Sequence, residues 1–238
     1  MENVTKILFT GLTGNLGRDL LKFFLVKDYD ITTTYLYDSE LKLIPKEYID
    51  KIDFYKSNIL LEKDTNRLLK DFDKNNKKFD SIINLVGGFS FSKIENLKID
   101  DFKKMFEINL YTVFNISKYA KNLLKDSKNK SIINIISPYA LNPIEGVSSY
   151  AASKAALLSF SKSCAIEYHD VNIRVNCIMT DTLNTEANRK EMPNADFSLW
   201  VKPEEVFKSL KFLISENSKF INGDYIKIGK EWFWYNNF

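Results

Sequence analysis

The sequence predicts an α/β fold, a doubly wound parallel sheet of about seven strands with helices on both faces. Short β-branched or apolar runs alternate with longer amphipathic stretches along most of the 238 residues. This alternation is typical of a parallel sheet whose two faces are covered by helices. A glycine-rich turn directly after the first predicted strand agrees with that interpretation, since such folds turn sharply there from strand into helix.

The elements follow one another in a regular order. Seven segments have strand character, and they are Thr5 to Thr10, Ile31 to Leu36, Asp53 to Tyr55, Ser81 to Leu85, Ser131 to Ile136, Ile173 to Ile178 and Tyr225 to Ile228. The best-marked helices are Leu16 to Leu25, Leu60 to Phe72, Asp100 to Leu124, Ser148 to Tyr168 and Pro203 to Ile214. The last begins with proline, which is favoured at the first helical position.

The chain is expected to form one domain over residues 1–238. Its length and its 45% hydrophobic content suffice for a full core, and it shows no internal repeat, low-complexity segment or linker. The stretch at about 180–201, from Thr180 to Val201, is polar, aperiodic and too long for an ordinary loop. We expect it to be a flap over a site.

Composition argues against several classes of function. The 34 basic and 31 acidic residues are spread along the chain and leave a net charge of +3, so nucleic acid is not an expected partner. We expect a soluble, cytoplasmic protein without membrane contact, because no apolar run approaches the ~20 residues of a membrane helix and the amino terminus does not resemble a signal peptide. With a single histidine, His169, no metal site is predicted. Cys164 and Cys177 are expected to be buried, reduced thiols.

The turn Thr10-Gly11-Leu12-Thr13-Gly14-Asn15-Leu16-Gly17 links the first strand to the first helix. Glycines at such a turn let the backbone approach a pyrophosphate, and the helix amino terminus offers free N–H groups and a favourable dipole. A tight turn without a ligand is the alternative. The position of the turn in an alternating α/β chain favours a Rossmann-type dinucleotide site.

Tyr150 and Lys154 stand four residues apart in an Ala-rich predicted helix. That spacing places phenol and ammonium on one face, where the positive charge would lower the pKa of the phenol and make it a general acid/base. The alternative is a coincidental pair on a solvated helix.

Together these segments resemble the short-chain dehydrogenase/reductase family over nearly the whole chain. The glycine turn is followed, in the family's order, by Asn84-Leu85-Val86-Gly87, Asn109, Ser137, the pair Tyr150 and Lys154, and Arg174-Val175-Asn176. The resemblance implies an NAD(P)-dependent oxidoreductase acting on a small-molecule carbonyl or alcohol substrate.

The resemblance also implies roles for individual residues. Tyr150 would exchange a proton with the substrate oxygen, Lys154 would lower the pKa of Tyr150 and hold the nicotinamide ribose, and Ser137 would hydrogen-bond the carbonyl. Asn109 would help to hold a water relay to Lys154. The residues implied in cofactor binding are Gly11, Thr13, Asn15, Leu16, Gly17, Tyr35, Asn58, Ile59, Asn84, Val86, Gly87, Tyr150, Lys154 and Thr185. Ser137 could instead simply close a strand, and Asn109 could bond within its helix.

The choice between NAD and NADP stays open in the sequence. An acid at the end of the second strand would accept hydrogen bonds from the ribose diol. Tyr35 stands there, Asp38 comes slightly late, and no Arg or Lys follows the strand to hold a 2′-phosphate.

Three segments depart from the family pattern. Thr180-Asp181 replaces the usual Pro-Gly, Gly87-Gly88-Phe89 replaces Asn-Ala-Gly, and the turn is spaced Gly-x-x-Gly-x-x-Gly. The turn, the Gly-Gly-aromatic segment and the run from Asn188 to Trp200 are similar to a branch that includes quinonoid dihydropteridine reductases. Those reductases lack the serine supplied here by Ser137, so a pterin reductase is an alternative function. A dinucleotide-binding protein without catalysis is a further alternative.

The chain ends with five aromatic residues in Glu231 to Phe238. Packing on the protein's own surface is one interpretation of this tail. We expect burial at a subunit contact, because aromatic residues concentrate at interfaces. The family resemblance implies a homodimer or homotetramer.

Overall fold

One parallel seven-stranded sheet organises the fold. The computed structural model describes residues 4–25, 29–124 and 127–229. The strands lie in the order β3-β2-β1-β4-β5-β6-β7, and every neighbouring pair is parallel. Their bounds are β1 Thr5–Thr10, β2 Tyr29–Tyr35, β3 Ile52–Lys56, β4 Ser81–Asn84, β5 Lys130–Ile136, β6 Ile173–Thr180 and β7 Tyr225–Ile228.

Ten α-helical segments lie within the described residues. They are α1 Asn15–Phe24, α2 Asp38–Leu41, α3 Lys46–Ile49, α4 Glu62–Lys74, α5 Ile99–Phe106, α6 Thr112–Ser117, α7 Ala120–Leu123, α8 Ser148–Glu167, α9 Glu186–Glu191 and α10 Pro203–Leu213. A π-helical turn, Glu107–Tyr111, joins α5 to α6. The long helix predicted over Asp100 to Leu124 is therefore wrong in detail, because the π turn and a break before α7 divide it.

The two faces of the sheet carry separate apolar cores. Ile7 and Phe9 of β1 contribute to one core, with α1 and α10, whereas Leu8 between them contributes to the other, with α4, α6, α7 and α8. Successive side chains of a strand point to opposite faces. A strand buried on both sides therefore reads as a continuous apolar run, and the doubly wound prediction is confirmed.

The strand order reverses between β1 and β4, so their carboxyl ends open the cleft in which ligands bind in such sheets. The segment predicted as a flap contains structure of its own. Thr180 is the last residue of β6, and the chain continues through α9 and a 3-10 turn, Phe197–Leu199, before Val201 forms a parallel bridge with Leu183. An aperiodic sequence did not reveal α9, because its six residues are too few to show a helical pattern.

Both cysteines are free and buried, as predicted. Burial raises the pKa of the Cys177 thiol to about 11, which keeps it protonated near neutral pH. No helix among the described residues is long and apolar enough to cross a membrane. The aromatic tail, Glu231 to Phe238, lies outside the described residues.

Candidate active site

Tyr150 and Ser137 meet at the carboxyl end of the sheet. Ser137 follows β5 directly, and Tyr150 lies in the first turn of α8. The Ser137 side chain lies beside the Tyr150 phenol, where its hydrogen bonding acts to lower the pKa of Tyr150, and it accepts a hydrogen bond from the backbone N–H of Tyr139 at 3.3 Å. Because Ser137 is buried and held by that turn, its hydroxyl is fixed in place beside the phenol.

Lys154 lies one helical turn beyond Tyr150, and its ammonium is directed into the protein. Its Nζ donates to the carbonyl oxygen of Ile135 on β5 at 2.9 Å and lies 5.9 Å from the centroid of the Tyr150 ring. Burial lowers the pKa of Lys154 to about 8. The predicted shared face is therefore present, with the amine anchored on the sheet.

The pKa of Tyr150 moves in the direction opposite to the sequence-based expectation. Burial of the side chain raises the pKa above the usual value of 10.0. The Ser137 hydrogen bond opposes this rise, and Tyr139 adds to the rise. Lys154 is not among the groups that shift this pKa, and its amine lies 5.9 Å from the centroid of the Tyr150 ring, so the expected lowering is not seen. The phenol is thus held in its protonated form.

Asn109 is buried in the π turn and clamps the segment after β4. Its Oδ1 accepts from the backbone N–H of Gly88 at 2.9 Å, and its Nδ2 donates to the Gly88 carbonyl at 3.1 Å. The same Nδ2 donates to Ser153 Oγ at 3.0 Å, and the Ser153 hydroxyl donates to the carbonyl of Tyr150 at 2.7 Å. The side chain of Asn109 thus connects Gly88 to the first turn of α8. π turns of this kind are frequent at functional sites.

Gly87 lies where Asn109 and Lys154 approach the cleft. A Cβ at this position would lie 2.9 Å from Asn109 Oδ1 and 3.4 Å from Lys154 Nζ. A side chain at Gly87 would therefore press on the Asn109 amide and touch the end of Lys154.

The side chain of Asn84 is hydrogen-bonded within the sheet. The amide is buried, with Oδ1 accepting from the Thr10 hydroxyl at 3.2 Å and Nδ2 donating to Asn134 Oδ1 at 2.8 Å. Asn134 in turn donates to Ser161 Oγ on α8 at 2.8 Å. These four residues form a polar ladder across β1, β4, β5 and α8. The ladder engages both ends of the Asn84 amide, and a cofactor contact by Asn84 stays a prediction.

The glycine turn makes a tight cradle at the end of β1. Gly11 has a φ of +76°, and a Cβ there would lie 2.7 Å from the backbone nitrogen of Val86. At Gly17 a Cβ would lie 2.3 Å from the Leu12 carbonyl oxygen, so α1 packs closely on the turn. The first turn of α1 contains no acidic residue. Backbone N–H groups at the start of α1 can therefore face an anion without repulsion from a carboxylate in the first turn of α1 itself.

The other residues predicted to bind a cofactor lie around this cradle or along the same sheet edge. Thr13 is buried in the turn, Asn15 and Leu16 begin α1, Tyr35 ends β2, Val86 lies opposite Gly11, and Asn58 and Ile59 follow β3. Thr185 is buried and its hydroxyl accepts from the backbone N–H of Asn188 at 3.3 Å, which caps α9.

Sequence reasoning missed the residue that positions the loop after β3. Asn115 Nδ2 donates to the carbonyls of Ile59 and Leu60, at 2.8 and 3.0 Å. It is buried on α6, six residues after Asn109. The sequence gives no clear signal for it, because half of the α6 residues are polar.

Two aromatic residues flank Tyr150. The Phe89 ring, on the segment after β4, meets the Tyr150 ring edge-on with centroids 5.0 Å apart. The ring of Tyr139, on the segment after β5, has its centroid 6.4 Å from that of Tyr150. The backbone N–H of Ser92 donates to the Gly146 carbonyl at 2.7 Å, which links the segment after β4 to the one after β5. These two segments are the walls beside the phenol, and Phe89 and Phe91 remain mostly exposed on them.

Among residues 4–25, 29–124 and 127–229, no group of three or more His, Cys, Asp or Glu side chains is arranged to hold a metal ion. What the site offers is a protonated phenol, a hydroxyl bonded to it, a buried amine and a glycine cradle at the sheet's switch point.

A cradle for a dinucleotide beside a Ser, Tyr and Lys group is characteristic of oxidoreductases. The model of the short chain dehydrogenase family matches residues 5–196, which is most of the sequence. The chain therefore belongs to the short-chain dehydrogenase family and is an oxidoreductase. This was the family indicated by the motifs.

Relatives and solved structures agree with this assignment. A 3-oxoacyl-[acyl-carrier-protein] reductase FabG of Thermotoga maritima is 25% identical over 232 residues, which cover 93% of this chain and 94% of that protein. The structure of ElxO with NADP bound matches with a TM-score of 0.85 and 26% identity, covering 95% of this chain and 97% of that one. A 4-hydroxyisoleucine dehydrogenase complexed with NADH has the same fold, with a TM-score of 0.78, 24% identity and coverage of 94% and 96%.

Proposed function

We propose that this protein is an NAD(P)-dependent oxidoreductase that transfers a hydride between nicotinamide and a carbonyl or alcohol substrate, with Tyr150 as the general acid/base. The observation that carries the proposal is the placement of Ser137, directly after β5, beside Tyr150 in the first turn of α8, because it brings two hydroxyl groups together beside the cleft. Reduction of a carbonyl creates negative charge on oxygen, and that charge needs both a donor and a proton source.

The residues around the cradle fit a nicotinamide dinucleotide. Gly11, Thr13, Asn15, Leu16 and Gly17 would hold the pyrophosphate and the adjoining ribose, since Gly11 brings bare backbone against Val86. Tyr35, Asn58 and Ile59 would surround the adenosine, and Val86, Gly87 and Thr185 would face the nicotinamide half. When bound, the nicotinamide supplies or accepts the hydride.

The protein's own side chains supply and accept the proton of the reaction. Because burial raises the pKa of Tyr150, its phenol carries a proton at neutral pH and can donate it to the substrate oxygen. Ser137 donates a second hydrogen bond to the same oxygen. Lys154, fixed by the Ile135 carbonyl, supplies positive charge as the phenol loses its proton. Asn109 maintains this arrangement by holding Gly88 and Ser153.

The residues of the two segments beside Tyr150 favour an uncharged, largely apolar substrate. Phe89 and Tyr139 flank the phenol with aromatic surface. Farther along the same walls, Lys93 is paired with Glu145 at 2.7 Å, so their charges offset each other. An aromatic or alicyclic ketone suits these surroundings better than a sugar or a carboxylate.

A quinonoid dihydropteridine reductase is the second candidate function. The run from Asn188 to Trp200 favours it in the sequence, but several of its side chains pack on one another. The Phe197 and Trp200 ring centroids are 4.7 Å apart, and Arg189 lies over Phe197 at 5.0 Å. These contacts support a role in anchoring the flap. A dinucleotide-binding protein without catalysis is the third possibility, and the joined Ser137 and Tyr150 argue against it.

The proposal also covers the oligomeric state, the flap and the location in the cell. A cavity of about 420 Å³ is lined mostly by apolar and aromatic residues, Leu60, Leu110, Tyr111, Phe114 and Phe160, together with Glu62 and Asn115. This apolar surface supports contact with a second copy, as a homodimer or homotetramer. A single catalytic domain with a flap at about 180–201, working in the cytoplasm, stays a prediction.

The test is turnover by the purified chain with NADH and NADPH. The substrate panel contains aromatic and alicyclic ketones, an aldose and quinonoid dihydropterin. Ser137→Ala, Tyr150→Phe and the double variant should lose similar amounts of kcat, because groups that act as a unit are not additive. Full activity of Tyr150→Phe would refute the role of this residue, and turnover of the pterin alone would establish the second candidate instead.

A further inference from the structure

Glu40 connects the end of β2 to the glycine turn. It lies in the short helix α2, which follows β2. Its Oε1 accepts hydrogen bonds from the backbone N–H groups of Leu36 and Tyr37, at 3.0 and 2.8 Å. Its Oε2 accepts one from the Thr13 hydroxyl in the turn. The carboxylate is thus held at both oxygens between the two segments that enclose the adenosine ribose in dinucleotide-binding sheets.

This position brings a negative charge to the place where NAD and NADP differ. A carboxylate there accepts hydrogen bonds from the free ribose diol of NAD, whereas the 2′-phosphate of NADP would be repelled. The sequence shows no acid at the strand end itself, because Tyr35 stands there. Glu40 comes five residues later, and the turn of α2 brings its side chain back to the strand end.

The neighbouring cations are already engaged. Lys56, which ends β3 and pairs with Tyr35 in the sheet, has its Nζ 2.7 Å from Asp38 Oδ2. Arg18 donates to the Thr13 carbonyl at 2.7 Å and to Asn15 Oδ1 at 2.8 Å. Arg18 also faces the flap, since after Lys190 it contributes to lowering the pKa of Glu186 on α9.

We propose that Glu40 is a specificity-determining residue that makes this protein prefer NAD over NADP. The inference rests on the proposed function, because it assumes a nicotinamide dinucleotide in the cradle. Two backbone N–H groups fix the carboxylate before any ligand binds, so little ordering is needed when the ribose diol reaches it. Thr13, which already touches Glu40, lies on the turn side of the same ribose.

The test is direct binding, measured by titrating the purified full chain with NADH and with NADPH while following its tryptophan fluorescence. The wild type should bind NADH at least about tenfold more tightly than NADPH, a difference that one like-charge contact can supply. Glu40→Gln keeps the size and an oxygen acceptor but removes the charge. It should weaken NADH binding, strengthen NADPH binding and bring the ratio close to one.

Two further variants complete the design. Glu47→Gln, on the exposed face of α3, is the matched control and should leave both dissociation constants unchanged. Tyr35→Arg adds a cation at the end of β2 and should shift the preference toward NADPH, which gives a second measurement independent of the folding of Glu40→Gln.

The outcomes separate the two proposals. Equal binding of both dinucleotides by the wild type, tighter binding of NADPH, or an unchanged ratio in Glu40→Gln overturns the inference alone. Binding of neither dinucleotide overturns the proposed function and this inference with it.

Discussion

The carboxamide of Asn109 satisfies both backbone polar groups of Gly88, accepting from its N–H at 2.9 Å and donating to its carbonyl at 3.1 Å. One side chain thereby replaces the strand partner that the chain loses at the end of β4. The contact also fixes Gly87 and Phe89, which lie beside Lys154 and Tyr150. The geometry of the candidate site consequently depends on a residue that need not touch the substrate.

Replacing Asn109 with Ala should destabilise the fold. The variant leaves the Gly88 N–H and carbonyl and the Ser153 hydroxyl without this partner, and an orphaned buried group costs about 1–3 kcal/mol. We expect a loss of about 2–4 kcal/mol in the free energy of unfolding, measured by urea denaturation. Asn217→Ala, at an exposed position, is the control and should change the value by less than about 0.5 kcal/mol. A loss no larger than that of the control would contradict the clamp.

Gly11→Ala should abolish dinucleotide binding. The substitution strains a backbone with a φ of +76° and brings Cβ to 2.7 Å from the Val86 nitrogen, which must then move. Gly223→Ala is a matched control, because Gly223 has a φ of +77° but its Cβ would lie 3.4 Å from the nearest atom, Ala165 Cβ. Both variants should lose about 1–2 kcal/mol of stability from backbone strain, and Gly11→Ala should lose more because the backbone of Val86 must move. Only Gly11→Ala should lose NADH binding by isothermal calorimetry, and retained binding would argue against the cradle.

Lys154→Met should change how stability depends on pH. In the wild type the pKa of Lys154 is about 8, below the value of 10.5 for an ordinary lysine. Between these two values the unfolded chain binds more protons than the folded chain, so this residue makes the free energy of unfolding rise with pH. The buried charge is an unfavourable contribution at pH 7 that disappears as the pH passes through 8 toward 10.5. Removing the amine removes that contribution.

The measurement is the difference in unfolding free energy, wild type minus Lys154→Met, at pH 7 and at pH 10. It should become more positive by roughly 2–3 kcal/mol over this interval, because pH 10 lies short of the unfolded pKa of 10.5 and most, but not all, of the titration from about 8 is covered at about 1.4 kcal/mol per unit. The exposed Lys162 on the same helix provides the comparison variant, Lys162→Met. A constant difference across the pH range would mean that Lys154 is not desolvated as the structure indicates.

Phe89→Ala should weaken substrate binding and leave the dinucleotide unaffected. The Phe89 ring lies edge-on to Tyr150, where an aromatic contact contributes about 0.5–1.5 kcal/mol. We expect KM for aromatic ketones to rise by about two- to tenfold, with the dissociation constant for NADH unchanged. Phe220→Ala, at a position 92% exposed, should leave both values as they are. If KM stays constant in Phe89→Ala, this ring does not line the substrate pocket.

The sequence predicted the sheet well for a physical reason. Strands buried on both faces read as apolar runs, and β1 was placed with the bounds found in the structure. The partly buried edge strand β7 was also placed with the bounds found in the structure. The other strands differ by one or two residues at their ends, where side chains leave the core and the apolar signal fades. The short helices α2 and α3 were missed, because four residues cannot show a helical period.

The sequence predicted the side chains of the candidate site, but it did not predict the backbone geometry that positions them. Tyr150, Lys154 and Ser137 have chemistry that a sequence displays. The π turn at Asn109 is not visible, because one extra residue in a helix leaves no compositional trace. The direction of the Tyr150 pKa depended on burial, and the position of Glu40 depended on the turn of α2. Neither quantity is contained in residue spacing.

The polar ladder through Thr10, Asn84, Asn134 and Ser161 has a consequence for how the central strands align. Asn84 and Asn134 lie opposite each other in the parallel pair of β4 and β5. Sliding one of the two strands by a single residue would place Asn84 opposite Ile133 or Ile135. Two amides would then lack hydrogen-bond partners in an apolar interior, which costs about 1–3 kcal/mol for each unpaired group. The ladder thus penalises every misaligned pairing at the centre of the sheet, and it makes the correct alignment selective during folding.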